Sequence, residues 1–153
     1  MQRVFITENE VNFLAFPAQS ASLVIFGAGY GFDALAPVRW LHACRLHYWG
    51  DIDTHGFAIL DQLRALFPQV QSLLMDQATL LAHPGQWGEE PQPTQRELTR
   101  LTEAEAALYG DLCRHRWGQR VRLEQERVAF GCLAQALAGL DAPQPPRATV
   151  YQS

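Results

Sequence analysis

Four short apolar runs alternate with helix-like segments in the first half of the chain, and this alternation constrains the fold more than any other feature. The runs are rich in β-branched and aromatic residues and lie at residues 3–7, 22–26, 45–49 and 70–75. Strands that alternate with helices are typical of βαβ units, which build a mainly parallel sheet. We therefore predict an α/β fold with a four-stranded, mainly parallel, Rossmann-like sheet flanked by helices.

Helix candidates lie between and after these strands, at residues 8–16, 32–44, 56–67, 77–83, 102–117 and 122–140. Thr102 is followed three residues later by Glu105, the spacing of a capping box. The chain is interpreted as one domain over residues 1–140, with a flexible tail at 141–153. Within the domain we expect a core at 3–83, an exposed Pro- and Gly-rich loop at 84–97 and a helical extension at 98–140.

Composition narrows the class of protein. Of the 153 residues, 48% are hydrophobic, enough to build one core, and no apolar run reaches the length of a membrane span. The N-terminus lacks the features of a signal peptide and the three cysteines form no CxxC pair, so we expect a cytoplasmic protein with buried, reduced thiols. All 12 basic residues are arginine. Mechanisms that need a lysine of this chain, such as a P-loop or a Schiff base, are excluded.

Acidic residues follow two of the predicted strands. Asp51 and Asp53 come after the third strand, and Glu8 comes directly after the first. In extended backbone, residues two apart point to the same side, so the two aspartates repel each other unless a cation lies between them. Oxygen ligands of this kind suit Mg²⁺, with Mn²⁺ as the alternative ion. Two simpler interpretations stay open: Asp53 caps the following helix, and Glu8 is a charge favoured near a helix N-terminus.

Three segments carry a resemblance to a known family: "VFITENEVNFLAF", "IFGAGYG" and "YWGDIDTHGFAIL", in this order. They are similar to the Toprim domain of topoisomerase VI A-subunits and the related meiotic double-strand-break proteins. The chain more closely resembles the C-terminal domain of the JetD family, the nuclease-like subunit of the bacterial Wadjet plasmid-defence system. This resemblance extends over residues 3–130. It implies a Toprim-like fold and Mg²⁺-dependent DNA cleavage.

The resemblance also implies roles for individual residues. The catalytic and metal-binding residues would be Glu8, Asp51 and Asp53. The residues that surround the metal or position the substrate would be Gly27, Gly29, Tyr30, His55 and Glu126. The residues that contact the DNA backbone would be Arg116, Arg120 and Arg122. The implied partners are double-stranded DNA and SMC-like subunits of the defence complex, with a homodimer as a further assembly; no membrane partner is implied.

The chain departs from the family pattern in several places. Asn9 and Ala28 replace two motif lysines, and Thr54 replaces the motif proline. The family's nucleophilic tyrosine comes from a winged-helix domain that precedes the Toprim domain, and these 153 residues have no room for it. We therefore expect metal-activated water, or a nucleophile supplied from elsewhere, to attack the phosphate.

Other functions remain open from the sequence alone. One is a Toprim adaptor that binds DNA or partner subunits without cutting. Another is a DxD-type phosphotransfer enzyme, which the absence of lysine disfavours for the aspartate phosphatases. A sugar-nucleotide transferase with a metal-binding DxD would leave Glu8 and the "GAGYG" loop unexplained.

Overall fold

The computed structural model describes residues 2–27 and 31–142. Its main sheet contains four parallel strands in the order β2-β1-β3-β4. The strands are β1 (Arg3–Thr7), β2 (Ser22–Phe26), β3 (Arg45–Trp49) and β4 (Gln71–Ser72). The predicted α/β fold with a four-stranded parallel sheet is confirmed. The fourth strand is shorter than predicted, because Leu74 has a φ of 56° and the backbone leaves the extended path there.

Five α-helices accompany the sheet. They are α1 (Glu10–Leu14), α2 (Thr54–Leu66), α3 (Gln77–Ala82), α4 (Glu103–Cys113) and α5 (Phe130–Asp141). The capping box of Thr102 and Glu105 at the start of α4 is confirmed. Helix α2 ends at Leu66, just before Pro68, as its sequence predicts.

The helix predicted over residues 32–44 is wrong. Two short 3₁₀ turns, Phe32–Leu35 and Arg39–Ala43, replace it. Pro37 lies between them, where it cannot donate the backbone hydrogen bond that a continuous helix would need.

The helix predicted over residues 122–140 starts only at Phe130. Before it, β6 (Val121–Arg122) pairs antiparallel with β5 (Gly88–Glu89), and Gln125–Arg127 forms a 3₁₀ turn. The prediction failed because Leu123 exchanges both backbone hydrogen bonds with Ile52, 71 residues earlier in the chain, and this pairing overrides local helical spacing. The loop at 84–97 is also not uniformly exposed, since Glu90 in it is only 2% exposed.

The core lies on both sides of β1 and β3 and extends to α4 and α5. Its largest fully buried side chains include Phe5, Tyr48, Phe57 and Phe67. No helix among the described residues is long and apolar enough to cross a membrane. The three cysteines form no disulfide, but only Cys44 is as buried as predicted. Residues 143–153, most of the tail predicted to be flexible, lie outside the described part of the chain.

Candidate functional site

The strand order places a crevice between β1 and β3. From β1 the chain moves outward to β2, whereas from β3 it moves outward to β4 on the other side. Parallel α/β sheets bind their ligands at such a switch point, outside the carboxyl ends of the strands. Here Glu8 follows the last residue of β1, and Asp51 and Asp53 follow β3. All three line one cavity of about 140 Å³. The structure thus brings the three predicted acids together, while their chemical role stays a prediction.

Gly27 leaves space for Glu8. It follows β2, and its backbone N–H donates to the carbonyl of Thr7, which brings it beside the end of β1. A Cβ atom at position 27 would lie 2.6 Å from Oε1 of Glu8, so a larger residue would displace the carboxylate. Gly27 therefore shapes the crevice. Gly29 and Tyr30, also predicted near the site, lie outside the described residues.

Asp53 begins α2. Its Oδ1 accepts a hydrogen bond of 2.7 Å from the backbone N–H of Gly56, so the capping interpretation is correct. Burial, and then the negative charge of Glu90, raise the pKa of Asp53 to about 6. A glycine is required at position 56, where the backbone passes close to that of Asp51. A Cβ atom there would lie 2.0 Å from the carbonyl oxygen of Asp51. The turn therefore fixes both aspartates relative to the helix.

An arginine lies between the two aspartates. The pairing of Ile52 with Leu123 directs these two side chains into the core, where they are 1% and 0% exposed. Side chains alternate along paired backbone, so the residues on either side of this pair face the crevice instead. There Arg122 Nη2 lies 3.0 Å from Asp51 Oδ2, and Arg122 Nε lies 3.3 Å from Asp53 Oδ2. The cation that the two carboxylates require is thus supplied by the chain itself.

Glu90 is the acidic residue that sequence reasoning missed. Its buried carboxylate accepts hydrogen bonds from the Thr54 hydroxyl at 2.7 Å and from the backbone N–H groups of Thr54 and His55, both at 3.2 Å. A carboxylate suits these donors because they form the positive end of α2. His55 Nε2 lies 2.5 Å from the carbonyl oxygen of Gln92. The contacts of Glu90 and His55 therefore hold the 90–92 segment over the start of α2. No local pattern in "QWGEEP" indicates these contacts.

The segment after Leu123 closes the site from a second side. The backbone N–H of Gln125 donates to Asp51 Oδ1 at 2.8 Å, and its side-chain amide donates to the Thr7 hydroxyl at 2.5 Å. Glu126 Oε2 accepts from the Asn9 amide at 3.1 Å, which places the predicted Glu126 beside the end of β1. Gln125 was not predicted, since it depends on the same long-range pairing.

Glu124 and Glu126 interact, although residues two apart on a helix would not face each other. A 3₁₀ turn at Gln125–Arg127 lies here in place of the helix predicted at 122–140. Burial, and then the charges of Asp51 and Glu124, raise the pKa of Glu126. The edge thus gathers more negative charge than the sequence indicated.

Tyr48 lies beneath the acids. It is fully buried, and its hydroxyl has no hydrogen-bond partner among the described residues. Burial, and then the negative charge of Glu8, raise its pKa well above the usual value, so the phenol keeps its proton at neutral pH. A Cβ at Gly50 would lie 2.4 Å from this hydroxyl, which locates it at the turn after β3. Tyr48 therefore presents a neutral donor to the crevice.

The predicted DNA-contacting arginines are engaged within the protein. Arg116 pairs with Asp111 at 2.7 Å, and Arg120 pairs with Glu89. Their side chains are 54% and 43% exposed, whereas that of Arg122 is 20% exposed. Contact of these residues with phosphate stays a prediction. Any such contact has to compete with the ion pairs already present.

Oxygen donors suited to Mg²⁺ are present at this edge, but they are not arranged around a vacant position. Among residues 2–27 and 31–142, no group of three His, Cys, Asp or Glu side chains is arranged to hold a metal ion. Asp51 and Asp53 instead contact Arg122 and the backbone N–H groups of Gln125 and Gly56. The unpartnered hydroxyl of Tyr48 and the oxygen donor set fit a hard cation, provided that the guanidinium moves away.

Comparison with known proteins gives the family. A search of curated proteins found no match. The family model described as "Wadjet protein JetD, C-terminal" matches residues 1–137, which include the sheet, the crevice and the segment that carries Arg122. The chain belongs to the family of JetD C-terminal domains.

Proposed function

We propose that this chain is a Toprim-type, Mg²⁺-dependent DNA-cleaving domain that acts in Wadjet anti-plasmid defence. The observation that carries the proposal is the meeting of Glu8, Asp51 and Asp53 at the switch point of the sheet in a member of the JetD family. Double-stranded DNA and other subunits of the defence complex are the proposed partners.

Different residues of the site would have different roles in the proposed cleavage. Glu8, Asp51 and Asp53 would hold the ion, which supplies charge stabilisation at a phosphate and an activated water when bound. The Tyr48 hydroxyl would be free to donate a hydrogen bond from below to a group bound in the crevice, and its raised pKa keeps it protonated for this. Glu90 and Gly56 hold the start of α2 in place, so that Asp51 and Asp53 stay aligned. Asp53 is only 3% exposed, which limits the access of water to its carboxylate and strengthens its electrostatic interactions.

Magnesium should stabilise the wild-type chain. We expect the melting temperature to rise in millimolar MgCl₂, because an ion bound only by the folded state stabilises it by mass action. Glu8→Gln and Asp53→Asn should abolish this rise and any plasmid cleavage, measured for the chain alone and with the defence-complex subunits. Asparagine is chosen at position 53 because it can still cap α2. Without Mg²⁺, removal of one of several like charges should leave stability unchanged or slightly higher.

Glu10→Gln is the matched control, because Glu10 is an exposed acid only two residues from Glu8. It should respond to Mg²⁺ as the wild type does. A wild type that gains no stability from Mg²⁺, with both variants behaving identically, would contradict the metal site.

A DNA-binding adaptor without cleavage is the second candidate. It is favoured by the arrangement of the described residues, in which no three His, Cys, Asp or Glu side chains are placed to hold a metal ion. The internal pairing of Arg116 and Arg120 and the net charge of −4 both weaken attraction to phosphate. Under either function, the chain alone should bind duplex DNA weakly and lose affinity steeply as salt rises. Arg120→Glu should weaken binding equally for all sequences, measured by titration at two salt concentrations. Arg39→Glu is the control, because Arg39 is exposed and does not belong to the predicted DNA-contacting arginines. Tight, sequence-selective and salt-insensitive binding would contradict this expectation.

A further inference from the structure

We propose that Arg122 is a resident counter-ion of the acidic edge, whose guanidinium has to leave Asp51 and Asp53 before a divalent cation can bind there. The inference rests on the proposed function, because it assumes that these carboxylates are the metal ligands. It goes further in assigning to Arg122 the control of cation affinity, in place of a fixed contact with DNA.

The contacts of Arg122 support this role. Its guanidinium lies 3.0 Å from Asp51, 3.3 Å from Asp53 and 3.3 Å from Glu124, so one positive charge serves three carboxylates. These acids are close because Ile52 and Leu123 pair directly. Without a cation in their midst, carboxylates at such a distance would repel each other. The guanidinium and a metal ion would therefore compete for the same oxygens.

The guanidinium is held incompletely, which makes its displacement feasible. Its Nε is buried but forms no hydrogen bond of good geometry with the described residues, although it lies 3.3 Å from Asp53 Oδ2. The side chain as a whole is 20% exposed, so it is not fully enclosed by the protein. The backbone of Arg122 is fixed in β6 against Gly88, so only the side chain has to move. Once released, the guanidinium stays beside the crevice, where it can contact a phosphate bound to the cation.

This competition has a measurable consequence for metal affinity. We consider an ion that binds only the state with Arg122 displaced. Its apparent dissociation constant equals its intrinsic dissociation constant divided by the fraction of protein in that state. If the displaced state is populated about one time in ten, Arg122→Gln should lower the half-saturating MgCl₂ concentration about tenfold. Arg122→Lys, which retains a charge, should give a smaller change.

Calorimetric titration and thermal melts in MgCl₂ and MnCl₂ test the inference on the whole chain. Arg120→Gln is the matched control, because it removes a neighbouring paired arginine and changes the net charge equally. Tighter binding in Arg122→Gln alone supports the proposal. Equal midpoints in wild type and Arg122→Gln overturn the counter-ion role and leave the metal site intact, and weaker binding in the variant also overturns that role. Absence of binding in both proteins overturns the metal site and this inference together.

A measurement on the wild type avoids dependence on the folding of the variants. The rate at which phenylglyoxal modifies Arg122, followed by mass spectrometry of peptides, should rise several-fold on addition of MgCl₂. The rate at Arg120 should not change. An unchanged or lower rate at Arg122, at a concentration of Mg²⁺ that saturates the protein, would overturn the proposal.

Discussion

Arg64→Ala is expected to destabilise the protein by about 3–5 kcal/mol, because it leaves a buried carboxylate without its partner. Arg64 on α2 donates to both oxygens of Glu105 on α4, at 2.5 and 2.9 Å, and to the carbonyls of Val70 and Arg100. Burial alone would raise the pKa of Glu105, but the hydrogen bonds from Arg64, Thr102 and Ser72 outweigh it and lower that pKa. Urea denaturation at pH 7 measures the loss.

The pair of Arg100 with Asp61 provides the control. Asp61 is buried, but the Arg100 side chain is 50% exposed and lies 3.2 Å from it, and the backbone N–H of Arg100 still donates to Asp61 in the variant. Removal of the Arg100 side chain should therefore cost less than about 1 kcal/mol. Glu105→Gln should cost less than Arg64→Ala, since the amide can still accept from Ser72 and Arg64. A loss in Arg64→Ala no larger than that in Arg100→Ala would contradict the importance of the buried pair.

Acid is expected to destabilise the protein through His47. This residue of β3 is 3% exposed, stacks on Phe5 and has no hydrogen-bond partner for Nδ1 among the described residues. Burial, and then the charges of Arg3 and Arg45, lower its pKa to about 4. The unfolded chain therefore binds the proton more tightly, so stability is lost as pH falls from about 6.5 to about 4. The lost stability amounts to about 3 kcal/mol, at about 1.4 kcal/mol per pKa unit.

His47→Phe should remove this loss while keeping the aromatic contact with Phe5. The two proteins are compared by urea denaturation at pH 7 and pH 4.5. Asp53 acts in the opposite direction, because its raised pKa makes the folded state take up a proton as pH falls through about 6. That contribution is common to both proteins and cancels in the difference between them. Equal acid sensitivity in wild type and His47→Phe would contradict the assignment.

Local sequence determined the strands β1 to β3, several helix ends and the edge at which the acids lie. Apolar runs predicted β1 to β3 at the residues observed, and the parallel sheet follows from their alternation with helices. Glu8, Asp51 and Asp53 then had to lie at the carboxyl edge, because parallel strands end there. The cap by Asp53 and the capping box of Thr102 could also be predicted from the sequence, since each depends on residues three apart.

Only the tertiary structure decided which residues neutralise the acids at this edge and which residues hold them in position. Arg122, Gln125 and Glu90 reach the site from segments 36 to 74 residues away in the chain, through pairings with no local pattern. Helical spacing predicted a helix at 122–140, but its first turns instead pair with Ile52 and β5. Burial of Ile52 and Leu123 in the core outweighs the weak local preference for helix, and this burial places a guanidinium between the two aspartates.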